Sequence, residues 1–158
     1  MILYCLEKWN KNKTALENEI RTNNKKYMTC AYIELVKSVV NFVLNDESNS
    51  YCSRWDAERI HEIDDGKYSG TLIYLIPTND YEPSATDYLI TFVEYGSCSG
   101  CDTLLHLQSW IDHDALNLTE DQIKEYMQLC KDILMNMRMP FNIGWRHNEK
   151  FDEVNFND

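Results

Sequence analysis

One segment carries residues whose types and spacing could do chemistry: Tyr95-Gly-Ser-Cys-Ser-Gly-Cys-Asp-Thr-Leu104. Cys98 and Cys101 stand at Cys-x-x-Cys spacing, which can share a metal or close a small disulfide. The segment joins a strand-like run to a helix start, where unpaired N–H groups and the helix dipole favour a thiolate. Adding His106 and His113 gives Cys-x2-Cys-x4-His-x6-His, a donor set zinc accepts in a tetrahedron. The spacing is not that of a zinc finger, and the second Cys-x-x-Cys of a zinc ribbon is absent; Cys52 is an alternative ligand. A thioredoxin-like redox site needs a parallel βαβ crossover around the motif, whereas the strands before this one read as a meander. The turn's N–H groups could also form an anion nest, against which the acidity of Glu94, Asp102, Asp112 and Asp114 argues. The preferred reading is structural. Gly96 and Gly100 supply positive φ, and the small side chains of Cys98 and Cys101 let the turn pack beneath a helix capped by Asp102.

Other constellations are weaker. Asp112-His113-Asp114 places two carboxylates beside an imidazole, but on a connecting loop it reads as a polar turn. His61, Glu62, Asp64 and Asp65 fall on a hairpin and are expected to be exposed. Phosphate-binding, dinucleotide-binding, nucleophile-elbow and His-Glu-x-x-His motifs do not occur. No catalytic residue and no cofactor is therefore assigned, with zinc kept as the alternative.

The elements that must position the turn follow from periodicity. Residues 3–22 carry Leu6, Trp9, Leu16 and Ile20 at helical spacing. Residues 27–44 place Met28, Ala31, Tyr32, Leu35, Val39, Phe42 and Val43 on one helical face, with Asn23 or Asn24 as cap. The two are expected to form an antiparallel hairpin over about 3–44, and residues 45–53 read as a loop. The period then changes to two. Residues 59–64 and 67–76 flank Asp65-Gly66, a hairpin turn whose residues tolerate positive φ, and residues 87–95 form a third strand. The second and third strands are apolar on both faces, so they need cover on both sides, or cover on one side and a partner on the other. A short helix runs from the Asp102 cap to Trp110 or Ile111. Thr119 and Gln122 have capping-box spacing at the head of a longer helix bearing Ile123, Tyr126, Met127, Cys130, Ile133, Leu134 and Met137, which Pro140 ends. The tail 139–158 holds Phe141, Ile143, Trp145, Phe151, Val154 and Phe156. The fold class is α+β in one domain over 1–158, with the sheet and C-terminal helices at about 57–138.

Composition sets the surroundings. The 158 residues suffice for one core and are 44% hydrophobic and 26% charged, ordinary for a globular chain. Met1 to Trp9 lacks the basic region and length of a signal peptide, and no stretch approaches the roughly 20 apolar residues of a membrane span. A cytoplasmic setting follows, in which most of the six cysteines stay reduced and Cys30 and Cys130 act as small buried hydrophobes. The net charge is −11, unevenly spread. Residues 1–40 hold seven Lys/Arg and four Asp/Glu, a net of +3; residues 41–158 hold eight and 22, a net of −14. That acidity repels a phosphate backbone, so nucleic acid is not the expected partner. It reads as a solvated surface or as a face for a basic protein surface.

Three segments carry a resemblance: Tyr68-Ser-Gly-Thr-Leu-Ile-Tyr-Leu-Ile-Pro77, Tyr95-Gly-Ser-Cys-Ser-Gly-Cys-Asp-Thr-Leu104 and Asp121-Gln-Ile-Lys-Glu-Tyr-Met127. Over residues 60–135 the chain resembles a group of small uncharacterised bacteriophage proteins, with the cysteine segment as the most distinctive piece. The resemblance implies an infected bacterial cytoplasm and no catalytic residues. It favours a non-enzymatic protein that binds and modulates a host protein, antiviral-defence components included. A metal- or thiol-dependent enzyme or sensor at Cys98 and Cys101, and a domain that sequesters a small ligand between sheet and helices, stand as alternatives.

Overall fold

The computed structural model describes residues 1–45, 54–112 and 114–139. The loop expected at 45–53, with Cys52, lies outside these residues but for Asn45, as do His113, Pro140 and the tail beyond it.

Helix α1, Ile2–Thr22, buries Cys5, Trp9, Leu16 and Ile20, close to the expected stripe; Leu6 of that stripe stays exposed. The chain returns along it, and the Asn12 side chain donates to Val43 O at 2.8 Å. The return leg is not the single helix expected over 27–44. A one-turn helix α2, Asn24–Tyr27, is followed by a break, then α3, Tyr32–Val39, and a π turn at Val40–Leu44. Neither asparagine caps through its side chain: Asn23 turns back to Glu19 and Asn24 to Arg21 O. The break contains no Gly or Pro, and its cause is tertiary. Tyr126 donates to Tyr27 O at 2.6 Å and Gln108 to Cys30 O at 2.7 Å. These distant side chains take carbonyls that a continuous helix would use itself.

Strands β1, His61–Asp64, β2, Gly70–Pro77, and β3, Tyr88–Tyr95, form an antiparallel meander in the order β1-β2-β3. Ile63 lies opposite Ile73 and Ile73 opposite Phe92, and β2 is central, as its two apolar faces suggested. The β1–β2 turn differs from the expected two-residue Asp65-Gly66 turn: residues 65–69 make the connection, and no described residue has a positive φ. The carboxylates of Asp64 and Asp65 close it by accepting from Gly66 N and Thr71 N at 2.9 and 2.6 Å. Gly66 is needed for close approach, since a Cβ there would collide with Ser69 O and lie 2.8 Å from the Gly70 Cα.

Helix α4, Thr103–Ser109, starts on its Asp102 cap, and α5, Glu120–Met135, starts on the Thr119/Gln122 capping box. Helix α5 stops well short of Pro140. Arg138 instead exchanges two backbone hydrogen bonds of 2.8 Å with Ile90, bringing the chain onto the free edge of β3. The helices cover one face of the sheet, where Tyr74, Ile76, Leu89 and Val93 join Leu35, Val36, Val39, Ile133 and Leu134 in one core. The buried Thr91 hydroxyl is satisfied by Ile133 O at 2.7 Å. Cys5, Cys30 and Cys130 are buried in this core as free thiols. No helix among the described residues is long and apolar enough to cross a membrane.

Candidate functional site

The turn between β3 and α4 is closed by Cys101 N–H donating to Cys98 O at 3.0 Å. Within it the Cys98 N–H points at the Cys101 sulfur, 3.2 Å away, and the Cys101 thiol donates to Cys98 O at 3.1 Å. Both thiols are free and exposed. The neighbouring Cys101 thiol, helped by the Gly100 N–H, holds Cys98 below the ordinary thiol value, and the same side-chain pairing pushes Cys101 up. The two sulfurs are therefore unequal: Cys98 is the one set up to ionise first.

The glycines act differently from expectation. Neither has a positive φ. Gly96 is buried, and a Cβ there would sit 2.5 Å from the Cys101 sulfur and 2.7 Å from Cys101 O, so its absence of side chain makes the cradle that turns Cys101 toward Cys98. Gly100 faces open space, with the Cys98 sulfur 3.9 Å away as the nearest atom to an added Cβ.

Asp102 ties the turn to the body. Its carboxylate accepts from Leu105 N at 2.9 Å, from Gly96 N at 3.4 Å and from the Tyr32 hydroxyl at 3.0 Å. Tyr32 in turn accepts the Leu104 N–H. With the Cys98 and Cys101 N–H groups used inside the turn, these donors have partners, which counts against an anion nest built on them.

His106 is not drawn toward the cysteines as a ligand; its ring packs against Trp110, with centroids 5.4 Å apart. No three His, Cys, Asp or Glu side chains converge as a metal site among the described residues. His113 and Cys52 lie outside them. Asp112 behaves as a turn residue, its carboxylate accepting from Asp114 N at 3.1 Å. On the hairpin His61, Glu62, Asp64 and Asp65 are exposed. Asp64 accepts from the Tyr95 hydroxyl at 2.7 Å, which holds its carboxyl below the usual range.

Between sheet and helices, a groove of about 270 Å³ runs past Tyr32, Glu62, Leu72, Asp102 and Leu104. Pockets that enclose a small ligand are usually of about 300 Å³ or more, so this groove gives the ligand-sequestering reading little support.

The sheet's other face carries a second feature, apart from the cysteine motif. Strand alternation and pairing put Ile63, Ile73, Leu75, Ile90 and Phe92 side by side on the face away from the helices. Ile63 is 48% and Phe92 42% exposed; Ile73, Leu75 and Ile90 are half-buried. Glu94 stands on this face beside Phe92, whereas Glu62 and Asp64, opposite Tyr74 and Leu72, are on the helix side. The connections hold Asp65, Asp80, Glu82 and Asp87, and Lys67 is the one Lys or Arg over residues 61–95. The signal for this surface lay in β2 and β3, apolar on both faces while only one is covered. Comparison with known protein families, characterised proteins and solved structures finds no match.

Proposed function

We propose that the protein works by binding another protein, with the outer face of the sheet as the docking surface and without catalysis. One observation carries this reading: a contiguous apolar patch of five side chains on two-sided apolar strands, left uncovered by the helices. Exposed apolar patches rimmed by polar groups mark interaction sites. The rim decides the partner's chemistry. Glu94 on this face, with Asp65, Asp80, Glu82 and Asp87 in the connections against one lysine, suits an apolar groove bordered by Lys and Arg, since complementary charge steers and orients association. The resemblance to bacteriophage proteins supplies the setting, a bacterial cytoplasm, and makes the proposed partner a host protein with a basic surface, defence components included.

The test uses the full chain as bait in lysate of a bacterial host, beside Phe92→Asp, Ile63→Asp and a control, Leu116→Asp, at an exposed loop site. The expected result is a host protein with a basic surface that wild type and Leu116→Asp retain and both sheet-face variants lose. Its retention should weaken with salt, because exposed charges are screened over about 10 Å at 0.1 M. A capture pattern identical for all four baits overturns the proposal. So does a concentration-dependent dimer abolished by Phe92→Asp, which assigns the face to a second copy. So does a truncation after Met139 that newly exposes the face to a hydrophobic dye, which assigns it to the chain's own C-terminal segment.

A further inference from the structure

The geometry points to Cys98 and Cys101 as a redox-active dithiol site whose substrate is a small disulfide such as oxidised glutathione. The site is independent of the sheet face and of the binding proposed there.

Three features of the turn support it. First, the Cys101 N–H to Cys98 O bond is an i to i+3 turn bond, which holds the two Cα atoms within about 7 Å. Disulfides span Cα separations of about 4.4–6.8 Å, so the turn brings the pair into the range such a link needs. Second, the sulfur of Cys101 is already turned inward, in contact with Cys98 N and O, and Gly96 leaves the room for it. Third, both sulfurs are exposed while Cys5, Cys30 and Cys130 are buried, so a soluble disulfide reaches this pair and not the core thiols. The geometry assigns the roles: the Cys101 thiol keeps its proton on Cys98 O, so Cys98 is the attacking thiolate and Cys101 acts in the second step.

The exchange balances as follows. The Cys98 thiolate attacks one sulfur of the oxidant RSSR, forming a Cys98–SR mixed disulfide and releasing RS⁻. Cys101 then loses its proton to solvent and attacks the Cys98 sulfur, breaking the Cys98–SR bond and releasing a second RS⁻. Two protein thiols are oxidised to one disulfide, and one small disulfide is reduced to two thiols. A small dithiol reverses the sequence. In a reducing compartment such a link is transient.

The full chain is incubated in mixtures of reduced and oxidised glutathione, quenched with an alkylating agent and mapped by peptide mass. A disulfide joining Cys98 to Cys101 is expected, released by dithiothreitol, with Cys5, Cys30 and Cys130 alkylated only after unfolding. Mapping separates this link from any that involves Cys52. In single-cysteine comparisons, Cys101→Ser should trap glutathione on Cys98. In the reduced wild-type chain, where each thiol has the other as its neighbour, brief alkylation should label Cys98 before Cys101. Equal alkylation rates at the two positions overturn the inference, as does wild-type protein that stops at the mixed disulfide. One tightly held zinc per chain in freshly purified protein also overturns it, since the thiols would then be ligands.

Discussion

The Tyr32 hydroxyl donates to the Asp102 carboxylate at 3.0 Å and accepts the Leu104 N–H at 3.0 Å, so one phenol joins the start of α3 to the cap of α4. The turn that carries Cys98 and Cys101 is anchored to the helical layer through this pair. Tyr32→Phe leaves the buried Leu104 N–H without its partner, a loss of about 1–3 kcal/mol. Asp102→Ala removes the helix cap, a loss of about 1 kcal/mol. Because the two residues touch, the double variant should lose less than the sum by about 0.5 kcal/mol or more. Urea unfolding of the four proteins checks this; additive losses would show that the contact does not couple the two elements.

What was legible in the sequence divides along a physical line. Helix α5 announced itself through Thr119 and Gln122, whose capping box is a local interaction. Strand β2 announced its central place through Leu72 to Ile76, and the closeness of Cys98 and Cys101 was implicit in their spacing. The break at residues 28–31 was not legible, because its causes, Tyr126 and Gln108, lie far along the chain. The bridge between Ile90 and Arg138 escaped for the same reason. At the turn, the glycines predict positive φ, while the structure uses Gly96 for room beside Cys101. A sequence names the residue that needs to be small without saying whether φ or space is the reason.

The two glycines of the turn therefore predict opposite outcomes. Gly96→Ala drives a Cβ to 2.5 Å from the Cys101 sulfur and 2.7 Å from a backbone oxygen, contacts that only a shift of the turn can relieve. It should destabilise by about 1–3 kcal/mol, the usual range for overpacking, and should turn the Cys101 sulfur away from Cys98. Gly100→Ala meets nothing closer than 3.9 Å and needs no unusual φ. It should be neutral or stabilise by about 0.4–1 kcal/mol, by narrowing the unfolded ensemble. Thermal melts of both variants check this, and equal losses would return the glycines to a shared backbone requirement.

The core predicts a marked loss of stability in alkali. Burial raises the phenols of Tyr27, Tyr32, Tyr74 and Tyr126 well above their ordinary value, pushes the Cys30 thiol up to about 11, and raises Cys130 further. In the unfolded chain thiols lose their protons near pH 8.5 and phenols near pH 10, while the folded chain still holds them. The unfolded state then binds fewer protons, so stability falls as pH rises. The contribution is complete below about pH 8.5 and is lost progressively through pH 9–11. Tyr74 separates this effect from general surface repulsion. Its buried hydroxyl makes no well-formed hydrogen bond, and the Glu62 carboxylate opposite it adds to the rise that burial causes. Tyr74→Phe should cost little or stabilise at pH 7, because it removes an unsatisfied buried group, and should flatten the alkaline fall by one proton's share. Urea midpoints between pH 7 and 11, under reducing conditions, measure both. A wild-type midpoint that stays level to pH 11, or a Tyr74→Phe curve parallel to it, would show that these phenols do not govern the alkaline limit.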